Sequence, residues 1–136
     1  MDVTNLPEGT WDKRPFDRGK DIDGIVGNNT GSNYPVIDKI DENGVVTSVK
    51  SRDLSAKTYQ NGKTLENTIK KDIDKLAGYK GANWGGTNIK PNQITGKQLQ
   101  IVIPNQAITQ SQINSINSAI EYGNTNGIKI IITIGR

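Results

Sequence analysis

The chain has 136 residues, which is enough for one domain with a real hydrophobic core. Its formal net charge is +3, only 32% of its residues are hydrophobic and 15 are glycines, so we expect a polar, loop-rich fold. The absence of histidine and cysteine excludes catalytic triads, histidine bases, zinc fingers and disulfide frameworks. Any catalysis must therefore use carboxylates, lysine, hydroxyl groups or a metal ion held by oxygen ligands.

The chain opens with a segment of little periodicity, residues 1–15, which we interpret as a lead-in anchored to the core by Trp11 and Phe16. Residues 17–26 predict a short helix, with Asp17 as its N-cap. The apolar stripe of this helix consists of Ile22, Ile25 and Val26.

A β-hairpin is predicted next, after a loop at 27–33 that is rich in glycine and asparagine. Residues 34–40 and 45–50 are rich in β-forming residues. The Asp-Glu-Asn-Gly sequence between them is a turn signal, because glycine adopts positive φ angles without strain.

The remaining chain alternates helices and strands. A helix at 64–77 starts at Thr64 and buries Leu65, Ile69, Ile73 and Leu76. A loop at 79–91 holds Trp84, which we expect to anchor the core. The last three elements are a strand at 98–103, a helix at 109–122 with an apolar stripe of Ile113, Ile116 and Ile120, and a strand at 128–134.

These elements predict an α/β fold with a mixed β-sheet of about four or five strands flanked by helices. We expect one domain, residues 16–136, after the lead-in. No apolar run is long enough to span a membrane, and no signal-peptide core is present. Because the final strand ends near the last residue, we expect this chain to be the C-terminal part of a larger polypeptide.

The hairpin carries a patch of reactive side chains. Ser48 and Lys50 lie two residues apart in a strand, so both point to one face, and Asp38 lies near the end of the partner strand. Asp23 on the preceding helix can supply a second carboxylate, with Asp17 and Asp21 as competitors. The simpler interpretation is an exposed ion pair between Asp38 and Lys50 on an amphipathic hairpin.

This order of residues resembles the PD-(D/E)XK nucleases, except that Ser48 stands where an acidic residue is usual. The resemblance implies a PD-(D/E)XK nuclease-like core in which Asp23, Asp38 and Ser48 bind a divalent metal ion (Zn²⁺, Mg²⁺ or Mn²⁺). Ser48 is a neutral ligand or a hydrogen-bond donor. Lys50 orients the attacking water or neutralises charge on the phosphate.

The chain is also similar to the toxin domains at the C-terminus of CdiA-type contact-dependent inhibition proteins, in the branch where serine replaces the acidic residue. The similarity is carried by RGKDID (18–23), YPVID (34–38) and VVTSVKS (45–51), and extends more weakly to residue 134. It implies a metal-dependent nuclease with Asp23, Asp38, Ser48 and Lys50 as its active site. It also implies cell-surface delivery, action in the cytoplasm of a target bacterium and a cognate immunity protein.

Four further residues are candidates for substrate contact. Arg18 and Lys20 can bind phosphate, and Lys57 and Tyr59 can contact the backbone or stack on a base, although all four are also compatible with a solvated surface. DNA is the expected substrate and tRNA the alternative. A non-catalytic binding module is less compatible with the sequence, because aromatic residues make up only 5%.

Overall fold

The computed structural model describes residues 2–31 and 33–136, so Met1 of the predicted lead-in and Ser32 of the predicted loop lie outside the described residues. In this part of the chain, no helix has the length and apolar character needed to cross a lipid bilayer. The helices are α1 (Pro15–Val26), α2 (Lys57–Gln60), α3 (Gly62–Ala77) and α4 (Gln110–Thr125). The strands are β1 (Asp2–Thr4), β2 (Lys39–Ile40), β3 (Val45–Ser51), β4 (Ala82–Trp84), β5 (Thr87–Ile89), β6 (Gly96–Pro104) and β7 (Ile128–Gly135).

Five strands form one mixed sheet in the order β1-β7-β6-β3-β2. β2 and β3 are antiparallel, whereas β3, β6, β7 and β1 all run parallel to one another. The fold class predicted from the sequence is therefore confirmed: after the β2–β3 hairpin, the parallel strands β6 and β7 follow through crossovers that contain α3 and α4.

α3 carries the main core on one face of the sheet. Its apolar residues recur at helical spacing, so they form one stripe, which packs towards the buried residues of β6. The helix begins at Gly62, two residues before the predicted start, because the side chain of Asn61 accepts a hydrogen bond from the Lys63 N–H. The predicted stripe of Leu65, Ile69, Ile73 and Leu76 is fully buried, as expected.

The predicted helix at 109–122 is confirmed as α4, but of its apolar stripe only Ile116 packs, partly buried, against the main core. The Ser115 hydroxyl donates to the Gly62 carbonyl oxygen at 2.7 Å, so α3 and α4 approach closely through small residues. The isoleucine stripe instead lines a partly open cleft of about 330 Å³, and Ile113 is 38% exposed. The buried residues of α4 are Gln112, Ser115, Ala119 and Gly123.

The N-terminal segment contains a strand that the sequence pattern did not predict. β1 pairs in parallel with β7, and the Trp11 indole N–H donates to the Gly135 carbonyl oxygen at 3.0 Å, so Trp11 anchors this segment as expected. Phe16 does not anchor it, because its side chain is 67% exposed. α1 begins at Pro15, which places Asp17 in the first turn and makes the predicted N-cap wrong. Ile25, assigned to the apolar stripe, is also exposed.

A small second hairpin replaces the predicted loop at 79–91. β4 and β5 are antiparallel and connected by Gly85 and Gly86, both of which have positive φ angles. Trp84 lies at the end of β4 and is 54% exposed, so the prediction that it anchors the core is wrong.

We predict that Gly62→Ala destabilises the fold by about 1–3 kcal/mol, because overpacking a tight contact forces neighbours apart. A Cβ at Gly62 would clash with the Ser111 hydroxyl and lie 2.7 Å from the Ser115 hydroxyl. The matched control is Gly19→Ala in the interior of α1, where a Cβ meets no atom within 4 Å. It should stabilise the helix by about 1 kcal/mol, since alanine has the better helix propensity. Urea unfolding followed by circular dichroism measures both changes, and a Gly62→Ala variant as stable as the parent would contradict this packing.

Candidate active site

Asp38 is held in place by the backbone around it. Its Oδ2 accepts a hydrogen bond from the Val49 N–H at 2.7 Å, and its own N–H donates to the Thr47 carbonyl oxygen at 2.9 Å. Because β2 covers only Lys39–Ile40, the edge of β3 extends beyond it, and the Asp38 carboxylate satisfies the Val49 N–H there. The side chain is thus fixed at the point where β2 ends.

The chain just before Asp38 turns sharply, so the predicted strand at 34–40 is wrong except for its last two residues. The Ile37 N–H donates to the Pro35 carbonyl oxygen at 2.8 Å, which closes a γ-turn with Val36 at φ 69°. A positive φ is strained for a β-branched residue, and such strain is often found beside functional sites. The turn ends the extended backbone and brings Asp38 to the edge of β3.

The loop before this turn forms hydrogen bonds with β2 and with Asp38 that the sequence did not predict. Asn29 exchanges two side-chain hydrogen bonds with the Ile40 backbone, at 2.7 and 2.9 Å, as a neighbouring strand would do. The Thr30 hydroxyl donates to the Asp38 carbonyl oxygen at 3.1 Å. These asparagine and threonine side chains position Asp38 indirectly, and the only sequence signal for them is a polar run after Gly27.

Ser48 and Lys50 lie on one face of β3, as the strand period predicts. In the parallel register they pair with Leu99 and Ile101, which belong to the main core, whereas Val49 between them packs against α1 on the other face. Continuing the register of β2 and β3 by one residue places Asp38 opposite Ser48. Ser48 is buried and Lys50 half-buried. The hairpin therefore brings the carboxylate, hydroxyl and ammonium groups together at one end of the sheet.

α1 brings the second carboxylate to this region. Its Ile22 packs with Val49 in a small second core, and the next residue, Asp23, is half-buried. Burial and the nearby charge of Asp38 raise the pKa of Asp23 to about 6, while the Asn28 amide and Lys50 act in the opposite direction. The electrostatic interaction places Asp23, Asp38 and Lys50 in one neighbourhood.

Among the described residues, neither carboxylate has a cation close enough to form an ion pair. Burial raises the pKa of Asp38, and the Val49 N–H and the charges of Lys50 and Lys39 oppose that rise. Across residues 2–31 and 33–136, neither Asp23 nor Asp38 is in an ion pair within 4.0 Å, so the Asp38–Lys50 surface ion pair does not hold. Paired, partly desolvated carboxylates of this kind suit a divalent cation, which prefers oxygen ligands.

The donor set is small. Within the described ranges, no group of three or more acidic, histidine or cysteine side chains is arranged to hold a metal ion. A cation at Asp23 and Asp38 would therefore need further oxygen atoms from outside this pair, such as those of water and substrate phosphate.

The competing carboxylates on α1 are less suitable. Asp21 accepts hydrogen bonds from Lys13 at 2.6 Å and from Thr10 at 3.0 Å, and the Lys13 contact lowers its pKa. Asp17 is exposed in the first turn. Asp23 is thus the carboxylate of α1 whose pKa the charge of Asp38 raises.

Two adjoining clefts lie beside Asp23, and Asp38, Ser48 and Lys50 line neither of them. They have volumes of about 410 and 530 Å³, and Lys20 and Asp23 line both of them. Arg18 lies close by, with its Nε donating to the Ser51 hydroxyl at 3.2 Å and its guanidinium 5.4 Å from the Trp11 ring centroid. Lys20 lines both clefts and Arg18 lines neither, and the substrate contacts of both residues stay predictions.

The other two predicted substrate contacts are placed differently. Lys57 is exposed on α2, and Tyr59 packs against the main core. The Tyr59 carbonyl oxygen accepts a hydrogen bond from the Gln112 side chain at 2.8 Å. Neither residue lines the two clefts at Asp23, so their substrate contacts stay predictions.

The mixed sheet flanked by helices is the fold expected of a restriction endonuclease-like domain. The sequence model of the family described as "CDI toxin restriction endonuclease-like domain", where CDI is contact-dependent growth inhibition, matches residues 18–133. Because this match covers most of the chain, the chain belongs to that family.

Two curated relatives and one solved structure are similar to the chain. Deoxyribonuclease CdiA of Yersinia pseudotuberculosis serotype O:3 (strain YPIII) is 33% identical over 110 residues, which are 79% of this chain and 10% of the relative. Deoxyribonuclease CdiA-o11 of Escherichia coli O157:H7 (strain EC869) is 32% identical over 103 residues, 74% of this chain and 27% of the relative. The chain thus spans only a minor part of each.

The solved structure is the CdiA-CT/CdiI toxin and immunity complex from Yersinia pseudotuberculosis. It matches with a TM-score of 0.68 and 31% identity, over 80% of this chain and 89% of that chain. The predicted resemblance to CdiA-type toxin domains is confirmed.

We predict that Asp23→Asn raises the melting temperature at about pH 8 in EDTA by about 3 °C. The pKa of Asp23 is about 6 in the folded protein against an ordinary value of 3.8, so the folded state binds this proton more tightly. The resulting stabilisation is complete below pH 3.8 and is lost as the pH rises through about 6. Replacing the carboxylate with an amide removes that loss, so the difference between variant and parent should vanish at low pH.

Asp21→Asn is a control for which we expect the opposite change in melting temperature. The contact with Lys13 lowers the pKa of Asp21, so the ionised carboxylate stabilises the fold. The variant should therefore melt below the parent at neutral pH. Thermal melts across the pH range test both, and a destabilised Asp23→Asn at neutral pH would contradict the electrostatic account.

Proposed function

We propose that this domain is a metal-dependent deoxyribonuclease toxin of a contact-dependent growth inhibition system. The observation that carries the proposal is the pair of half-buried carboxylates, Asp23 and Asp38, which lie near Lys50 without an ion-pair partner among the described residues. The family membership and the two relatives named deoxyribonucleases support hydrolysis of DNA.

The residues present fit a divalent cation. Asp23 and Asp38 would hold it, with the Ser48 hydroxyl as a neutral third oxygen, and Mg²⁺, Mn²⁺ and Zn²⁺ are the candidates. When bound, such an ion acidifies water and stabilises negative charge on phosphate. The anchoring of Asp38 to the Val49 N–H keeps one carboxylate oxygen in place and leaves the other free for this role.

Lys50 has a separate task. Phosphodiester hydrolysis joins a water oxygen to phosphorus, breaks one P–O ester bond and returns a proton to the leaving oxygen. Lys50 is half-buried on the same face as Ser48, so its compact ammonium group can donate to a phosphate oxygen and neutralise the growing charge. A lysine in this position also orients the attacking water.

The biological setting follows from the relatives. We propose that the domain forms the C-terminal toxin part of a larger surface protein and acts in the cytoplasm of a neighbouring bacterium. The similar solved structure is a toxin and immunity complex, which supports a dedicated immunity protein for this domain. Acidic groups on that protein would complement the basic residues beside the clefts, such as Lys20.

The proposal predicts that the purified domain cleaves plasmid DNA in the presence of Mg²⁺, Mn²⁺ or Zn²⁺ and that EDTA abolishes cleavage. Total tRNA, incubated in parallel, should remain intact, since the named relatives are deoxyribonucleases. Cleavage of tRNA but not DNA would assign the site to an RNase. If neither substrate were cleaved with any of the three metals, the proposal that the domain is a metal-dependent nuclease would be wrong.

Variants connect that activity to the site. Asp38→Asn retains an oxygen that can accept from the Val49 N–H, so it removes the charge with little damage to the edge of β3. It and Lys50→Ala should each lower the cleavage rate by about 10²–10³-fold. The charge-matched control is Lys71→Ala, an exposed position on α3 that should cleave like the parent. If both site variants remained folded and fully active, the assignment of these residues would be wrong.

A further inference from the structure

Phe16 is exposed in a place where the fold gives it no packing role. Its side chain is 67% exposed, although it lies in the first turn of α1. A large apolar side chain in water is informative, since most phenylalanines are buried. Phe16 also lines the 410 Å³ cleft that Asp23 lines.

The helix aligns Phe16 with the candidate active site. Phe16, Lys20 and Asp23 follow the spacing i, i+4, i+7, which places them on one face of α1. At a rise of about 1.5 Å per residue, Phe16 lies about 10 Å along the helix axis from Asp23. Gly19 lies between them, and a Cβ there would meet no atom within 4 Å, so the cleft floor is open.

Lys20 adds a positive charge to this aromatic residue. Its ammonium nitrogen lies 4.6 Å from the centroid of the Phe16 ring, within the range of a cation–π contact. Lys20 also lines both clefts at Asp23. An aromatic face beside a cation, in a groove, is the combination that binds single-stranded nucleic acid through base stacking and phosphate contact.

We propose that Phe16 stacks on a nucleobase of the DNA substrate to one side of the scissile phosphate, with Lys20 on a neighbouring phosphate. The inference rests on the proposed deoxyribonuclease function and assigns a substrate contact to a residue outside the carboxylate and lysine cluster.

Binding and kinetics together test this contact. Phe16→Ala should bind a short fluorescent single-stranded oligonucleotide about tenfold more weakly in EDTA and raise KM by a similar factor, with kcat nearly unchanged. Phe16→Trp keeps an aromatic face and should behave like the parent. Ile25→Ala is the control, because Ile25 is another exposed apolar residue of α1, 47% exposed, and lines neither cleft.

An abasic site moved along the oligonucleotide identifies the stacked base. The parent protein should lose affinity when one position lacks its base, and Phe16→Ala should be insensitive to that position. Equal affinity and KM for Phe16→Ala and the parent would overturn the inference, as would equal losses in Phe16→Ala and Ile25→Ala. If the parent cleaves DNA and Phe16→Ala has the same affinity and KM, the stacking contact is refuted but the proposed function is not. A parent that neither binds nor cleaves DNA refutes the proposed function as well.

Discussion

The hydrogen bond from the Val49 N–H to the Asp38 carboxylate, 2.7 Å long, is the contact on which the site depends. It exists because β2 is two residues long and leaves the edge of β3 without a backbone partner at this point. The Asp38 carboxylate takes the position that a neighbouring strand would occupy. Its oxygen atoms are therefore fixed relative to the sheet. It also stabilises the ionised form of Asp38 against burial, so the same bond that completes the fold keeps the group chemically useful.

The site is costly to the fold, and the core compensates for it. Two carboxylates are partly desolvated close to each other, and the pKa of Asp23 rises to about 6 as a result. Val36 adds backbone strain in the turn that precedes Asp38. These costs are offset by the main core, in which the buried stripe of α3 packs with the alternating buried residues of β6. Functional sites are commonly the least stable part of a fold, because charge and strain are concentrated there.

Strong periodicity explains which parts were predictable from the sequence. α3, β6, β7 and the turn of the β2–β3 hairpin have clear patterns, and the structure confirms them. The charges of Asp38 and Lys50 act on Asp23, and Ser48 and Lys50 share one face of β3, while the roles of all four residues stay a proposal. Strand alternation is a local property and was enough to pair Ser48 with Lys50, whereas Asp23, on a helix, was named through the resemblance to a known family.

The remainder depended on contacts between distant segments. β1 is three residues long and is defined by its partner β7, so no local pattern marks it. The buried face of α4 consists of small and polar residues, because the contact with α3 is tight. Local pattern does not reveal which aromatic residues stay exposed.

The most direct test of the account is a crystal structure of the domain soaked with Mn²⁺, with anomalous scattering used to locate the metal. The account predicts one Mn²⁺ ion coordinated by the carboxylates of both Asp23 and Asp38, at about 2.0–2.4 Å from an oxygen of each. An ion at another position, or carboxylates that stay apart with no metal between them at saturating Mn²⁺, would contradict it.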